Sequence, residues 1–272
     1  MKGKQKEIKA REAHFIRVAR EILLREGYQG VSISRVAEAT GFSKGTVYQR
    51  FGSKEQLITA LGIQCRAKLL EITQKAASFP GRPRERILAI GEMMVLYSRY
   101  HADDQRILKL IDAETILERV PESQQEKMKA YDVQVFQTLM GVIQDAISAG
   151  DLVLREDSTA HGLAFAFWAM MDGCFAASMG GAPLEEAGIA DPTAEVVRNG
   201  HYLMDGYGCR PLSHEWDYEA TTRRVRAFLL SEPVDDARLV AARAKDRPRD
   251  RHVEMALSGA GEAVLSGHER LE

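Results

Sequence analysis

The sequence predicts an all-α chain, with a small N-terminal three-helix unit followed by a larger helical body. Three observations lead there. Apolar residues recur at spacings of three and four almost throughout, the period of a helix with one buried face, while strand-like alternation is nearly absent. Ser and Gly fall at helix-start and helix-stop positions in the first sixty or so residues. Charge is also divided unevenly. Met1–Lys54 holds 12 Lys/Arg against 5 Asp/Glu, so a head of +7 sits on a remainder of −9 in a 272-residue chain of net −2. A basic head on an acidic body suits a polyanionic partner.

The elements follow in order. Phe15, Val18, Ala19, Ile22 and Leu23 form one face of a first helix, which Gly27 stops. Ser32 offers its hydroxyl as N-cap to a short helix with Ile33, Val36 and Ala37 inward, ended by Gly41. Ser43 caps the next, Lys44 to Phe51, and Ser53 caps a longer one from Lys54 to Ala77. Phe79–Pro83 breaks the pattern, and helices are expected over Arg84–Tyr100 and Asp104–Glu118. Val120-Pro121 stops that run, and Gln124–Ala149 follows with Gly150 as its terminator. Thr159–Met179 is apolar nearly all round, so it is buried on more than one side. Pro192–Tyr207 and Trp216–Leu230 complete the body. Beyond Glu232, Arg, Asp and Ala dominate and aromatics vanish. The expected division is therefore a basic head at 1–57, a helical body at 58–231, and a peripheral or mobile tail at 232–272.

Several function classes are excluded. No apolar run approaches ~18 residues, so a membrane span is not expected. The first 15 residues are basic without an apolar stretch, so neither a secretory leader nor an anchor is expected, and the cytoplasm is the predicted compartment. Cys65, Cys174 and Cys209 are too far apart for a metal knuckle and odd in number, which fits free thiols. Phosphate-loop, nucleophile-elbow and zinc-protease motifs are missing, and His161 and Cys174 lack a helical ligand spacing. Neither a catalytic role nor a cofactor is predicted.

The chemistry lies in the short helix pair around Gly41. Val36, Ala37, Phe42, Val47 and Phe51 hold the two helices at an angle, and Gly41 supplies a turn residue that tolerates positive φ. Lys44, Gly45, Thr46, Tyr48 and Gln49 point outward. All but the glycine can reach phosphates or base edges, on a helix that fits a major groove ~12 Å wide.

The run from Val31 to Leu57, VSISRVAEATGFSKGTVYQRFGSKEQL, resembles the DNA-binding domain of TetR-family transcriptional regulators. Ala19, Ile22, Leu23, Gly27 and Tyr28 resemble that family's first helix and its exit. Arg50 stands where the family often has His or Tyr, and Ser32 where Thr is commoner, which bears on operator preference. The resemblance implies that Lys44, Thr46 and Gln49 face base edges or adjacent phosphates, and that Tyr48 meets a phosphate or a thymine methyl. It implies phosphate contacts for Lys54 and backbone contacts for Ser32 and Arg35, with Ser43, Gly45 and Arg50 completing the surface.

Two half-sites one turn of DNA apart, about 34–36 Å, call for a two-fold dimer. The resemblance implies a four-helix interface from the last two body helices. The stripe Leu163, Phe167, Met170, Cys174 and Ala177, which Val196, His201 and Leu203 could face, is either that interface or part of the intramolecular core. The resemblance further implies a small-molecule effector. A pocket for an apolar or aromatic one is expected from Met94, Tyr97, Phe136, Met140, Phe165, Trp168, Met171, Asp172 and Phe175. Asp172 interrupts an apolar stretch and needs a partner. The functional expectation is a homodimeric repressor that leaves a palindromic double-stranded operator when its effector binds. A DNA-binding architectural or recruitment protein without a ligand is the alternative.

Overall fold

Residues 2–113, 115–179 and 181–231 are described by the computed structural model, and they contain ten α-helices, one 3₁₀ turn and no strand. The predicted tail, 232–272, lies outside them. The first four helices are α1 (Lys2–Gly30), α2 (Ile33–Thr40), α3 (Lys44–Phe51) and α4 (Lys54–Ala77). Then come α5 (Pro83–Tyr100), α6 (Ala102–Ala113), the 3₁₀ turn Ile116–Arg119 and α7 (Glu122–Ser148). Last are α8 (Ala160–Met179), α9 (Pro192–Gly206) and α10 (Tyr218–Leu229).

The head closes on Phe15, Ala19 and Ile22 of α1, Val36 of α2, Val47 and Phe51 of α3, and Leu57 and Ile58 of α4. Each of the larger side chains among them contributes roughly 1.5–3 kcal/mol by leaving water. This core does not end at residue 57. Leu61 and Cys65 of α4, Ile107 and Ile111 of α6, Ile116 and Met128 belong to it. α4 is 24 residues long, about 36 Å, so one rigid rod runs from the head into the body. At Gly62 a Cβ would stand 2.5 Å from Ile111 Cδ1, so a larger residue there would have to displace the Ile111 side chain of α6.

The expected helix over Asp104–Glu118 is divided. α6 ends at Ala113, and Thr115 takes a left-handed φ of 49° before the 3₁₀ turn. That change of direction drives Ile116 fully into the head core, which a continuous α-helix would not do. Core burial overrides local periodicity here.

The body core joins α5 (Ile87, Ile90, Met93) to α7 (Leu139, Val142, Ile143), α8 (Leu163, Phe167, Met171), α9 (Val196, Met204) and α10 (Val225, Leu229). Buried polar ties fix the last two helices. Arg84 on α5 pairs with Asp205 on α9 at 2.6 Å, donates to the Cys209 carbonyl at 2.5 Å, and lies 5.0 Å over the Tyr218 ring. Buried Glu85 accepts Thr221 and Arg224 of α10, each at 3.2 Å. A charge taken out of water is tolerated only when paired this completely.

Candidate nucleic-acid interface

The α2–turn–α3 unit is capped at every end by its own sequence. Ser32 Oγ accepts the Arg35 amide at 3.2 Å, Ser43 Oγ accepts that of Thr46 at 3.1 Å, and Ser53 Oγ accepts that of Gln56 at 3.2 Å. Gly41, at φ 71°, turns the chain after α2, and the Phe42 amide returns to the Ala37 carbonyl at 3.0 Å. Val47 and Phe51 anchor α3 from beneath. Phe42 in the turn and Phe51 of α3 pack edge-on to Phe15 at 5.1 and 6.3 Å, so α3 is held by α1 as well as α2.

Around this frame, the predicted DNA-facing residues separate into two groups. Lys44, Gly45, Tyr48 and Gln49 form an exposed arc on α3, with Tyr48 59% exposed. No side-chain hydrogen bond holds Lys44, Tyr48 or Gln49 among the described residues. The others are already engaged within the chain. Ser32 and Ser43 are caps, and half-buried Thr46 shares a hydrogen bond with Ser43 at 2.8 Å. Arg35 binds both oxygens of Glu26 and donates to the Gly30 carbonyl at 2.7 Å. Those bonds from Arg35, with Arg25 beside it, lower the Glu26 carboxyl to about 2. Arg50 pairs with Glu12 of α1. Lys54 lies 3.9 Å above the Tyr28 ring, whose hydroxyl donates to Glu55 at 2.6 Å. Arg11 was not singled out from sequence. Its guanidinium sits 5.4 Å from the Phe42 ring, beside the start of α3, and the excess of basic residues ahead of it was the available signal.

The head meets the body through a buried polar cluster. Arg20 of α1 pairs with Asp104 of α6, and Tyr97 of α5 donates to the same carboxylate at 3.4 Å. Burial, with the Asp104 charge beside it, raises the Tyr97 hydroxyl, and burial pushes the Cys65 thiol up to about 12.

In the body, a narrow cavity of about 30 Å³ lies between α5, α8 and α9. Phe167, Met171, Val197, Gly200, His201 and Glu92 are among the residues that line it. Of the nine residues expected at a pocket, Met171 alone is among its described walls. Tyr97 and Phe175 are buried elsewhere in the body core, and Met94, Phe136 and Met140 pack against that core. Asp172 has found a protein partner, Lys109 of α6, at 2.9 Å.

Phe165 and Trp168 are 60% and 52% exposed, their rings 6.0 Å apart on the outside of α8. Tyr202 on α9 is 62% exposed. Of the face expected to meet a partner subunit, Met170, Cys174, Ala177, His201 and Leu203 are partly exposed, whereas three residues are core. Leu163 and Phe167 are 1% and 7% exposed, and Val196 is buried with them inside the chain. A helix apolar on all sides gives periodicity no purchase on which side is the core.

The N-terminal domain described as "Bacterial regulatory proteins, tetR family" matches residues 15–61. The chain is 37% identical over 57 residues to the HTH-type transcriptional repressor AcnR of Corynebacterium glutamicum, covering 21% of this chain and 30% of that one. It is 40% identical over 53 residues to the AcnR repressor of Corynebacterium efficiens, covering 20% and 28%. The chain thus spans less than a third of the length of these two curated relatives. Among solved structures, the TetR-family regulator PfmR from Thermus thermophilus superposes with a TM-score of 0.54 at 15% identity, over 70% of this chain and 97% of that one. A TetR/AcrR-family regulator from Thermobifida fusca gives 0.54 at 23% identity, over 73% and 98%. Those identities speak for the fold alone. Over residues 15–61 the chain matches the N-terminal domain of the tetR family of bacterial regulatory proteins, and its all-helical fold is similar to that of TetR-family structures.

Proposed function

We propose that the chain is a sequence-specific DNA-binding transcriptional repressor acting in the cytoplasm as a homodimer, with residues 1–57 as reading head and 58–231 as dimerisation and effector body. The exposed arc of Lys44, Gly45, Tyr48 and Gln49 on a doubly capped α3 carries the reading. These side chains have no hydrogen-bond partner among the described residues and stand on a helix of major-groove size. Lys54, Arg50, Arg35, Thr46, Ser43 and Ser32 frame the arc, and phosphates would compete for the cations among them. The AcnR relatives, which match over 57 and 53 residues, are called transcriptional repressors.

Exposed Phe165, Trp168 and Tyr202 support pairing of two chains through α8 and α9, because large aromatics on a helix face need cover. That pairing would set two heads on a palindromic operator. An apolar or aromatic effector would enter between α5, α8 and α9, where Met171 and Phe167 offer a soft wall. The cavity is far below the several hundred Å³ that such a ligand fills, so effector entry would have to move α8 or α9 outward. Its size also favours a second reading, DNA binding without any effector.

Binding of the full chain to duplexes selected from random sequence tests the proposal. A competitor-resistant complex with a steep negative salt slope is the expected result. A folded dimer that selects no sequence would overturn it. Thermal shift against a panel of apolar and aromatic compounds separates the two readings, since a ligand at a hundredfold excess over Kd stabilises by about 2.7 kcal/mol.

A further inference from the structure

The first turns of α1 bury nothing, yet they are the most basic stretch of the described chain. Residues 2–11 hold Lys2, Lys4, Lys6, Lys9 and Arg11 against Glu7 alone, a net charge of +4. Residues 3–10 are exposed without exception, and the apolar core of the head begins only at Phe15. The tetR-family match likewise begins at residue 15, so the domain's shared part does not include this arm. Lys6 and Lys9 stand at i and i+3, one above the other on the helix, and like charges so placed disfavour it. Among the described residues Glu7 pairs with Arg11 at 3.1 Å, whereas Lys4, Lys6 and Lys9 make no ion pair. Among the described residues no ion pair takes up the charge of these three lysines, which leaves it available to an anion outside the chain.

The arm's position says what supplies it. α1 crosses α3 at residues 11–15. There Arg11 lies over Phe42 at the α3 start, Glu12 pairs with Arg50 in the last turn of α3, and Phe15 packs on Phe42 and Phe51. Continuing from that crossing toward the N-terminus, the helix overhangs α3 by about ten residues, roughly 15 Å. A row of exposed ammonium groups thus starts beside α3.

We propose that Lys4–Arg11 is a second DNA-contacting element, which grips the phosphate backbone flanking the half-site read by α3. The proposal rests on the DNA-binding reading of α3 and extends it beyond the residues the helix-turn-helix assigns. The arm reads no base. It lengthens the footprint and supplies affinity through counterion release.

The test compares the full chain with Lys4→Gln/Lys6→Gln/Lys9→Gln and with the matching triple Lys→Arg variant. The probe is a duplex selected by the parent protein, with long or trimmed flanks. All three side chains are exposed, so equal melting temperatures and sedimentation serve as the folding control. The expected result is a log Kd against log salt slope shallower in the Gln variant by about 0.9 for each phosphate left unneutralised, and unchanged in the Arg variant. Trimming the flanks should weaken the parent and leave the Gln variant indifferent. An unchanged slope and flank dependence, with the parent still binding tightly, would overturn the arm and leave the α3 reading intact. A Gln variant that loses only its adsorption to anionic phosphatidylserine vesicles would also overturn it, in favour of a membrane surface. A parent chain that binds no duplex would remove both.

Discussion

Arg20 of α1 and Asp104 of α6 are joined by an ion pair of 2.5 Å in which the carboxylate is only 6% exposed. It fastens the helix that braces the reading head to a helix of the body, inside a buried polar cluster. Cys65 lies 3.9 Å from the same guanidinium, and the Tyr97 hydroxyl meets the same carboxylate. Asp104→Asn leaves Arg20 without its counter-charge in a half-buried site. A loss on the order of 2–3 kcal/mol is expected, below the full cost of an enclosed pair because Arg20 keeps some access to water. Urea unfolding measures it, and hydrogen exchange should quicken first at α1. An unchanged urea midpoint would show the pair to be dispensable.

Gly45 separates stability from recognition. A Cβ there would find Ser43 Oγ at 3.8 Å as its nearest neighbour, an ordinary contact. Gly45→Ala should therefore stabilise the free protein by roughly 0.5–1 kcal/mol through helix propensity. Operator affinity should fall at the same time if the backbone at this position approaches a phosphate closely. A variant both more stable and equally tight on DNA would remove Gly45 from the interface.

Acid should loosen the brace between Arg35 and the end of α1. The Glu26 carboxyl sits at about 2 in the folded chain against an ordinary 4.5, lowered first by its hydrogen bond from Arg35. A lowered carboxyl stabilises the fold fully above its unfolded value, and that contribution disappears as pH falls from about 4.5 toward 2. The carboxyl carbon resonance of Glu26 should titrate near the lower value. Glu26→Gln should flatten the acid limb of the stability curve across that window, and an unaltered limb would contradict the assignment.

Trp168→Glu tests the pairing of two chains. The ring is half exposed within one chain, so the substitution should leave the fold of the protomer largely intact. In a dimer seam through α8 and α9 it would bury an unpaired carboxylate, and the dimer dissociation constant should rise by about a hundredfold. Sedimentation over a dilution series reads this directly. A variant that associates like the parent would place the seam elsewhere.

Most of the head was legible in the sequence because its determinants are local. Ser32, Ser43 and Ser53 cap the next residues along, and Gly41 turns a backbone that no distant residue needs to shape. The break at Thr115 was not legible, since the attraction that bends the chain there is Ile116 entering a core made mostly by residues 15–65. Asp172 shows the same limit from another side. Its need for a partner could be read from an apolar stretch, whereas Lys109, 63 residues earlier, could be identified only once α6 and α8 had been set side by side.

The sequence by itself determined the helices of the head, their serine caps and the outward arc of α3, because these depend on periods of three and four and on hydroxyls three residues from their amides. Tertiary structure alone decided which side of α8 is core, since Phe165 and Phe167 are equally apolar and two residues apart. It also decided which cations are spent inside the chain, as Arg35 and Arg50 are, and which, like Lys44, have no partner among the described residues. Hydrophobicity and charge belong to single residues, whereas burial and pairing belong to the distances between them, and packing sets those distances.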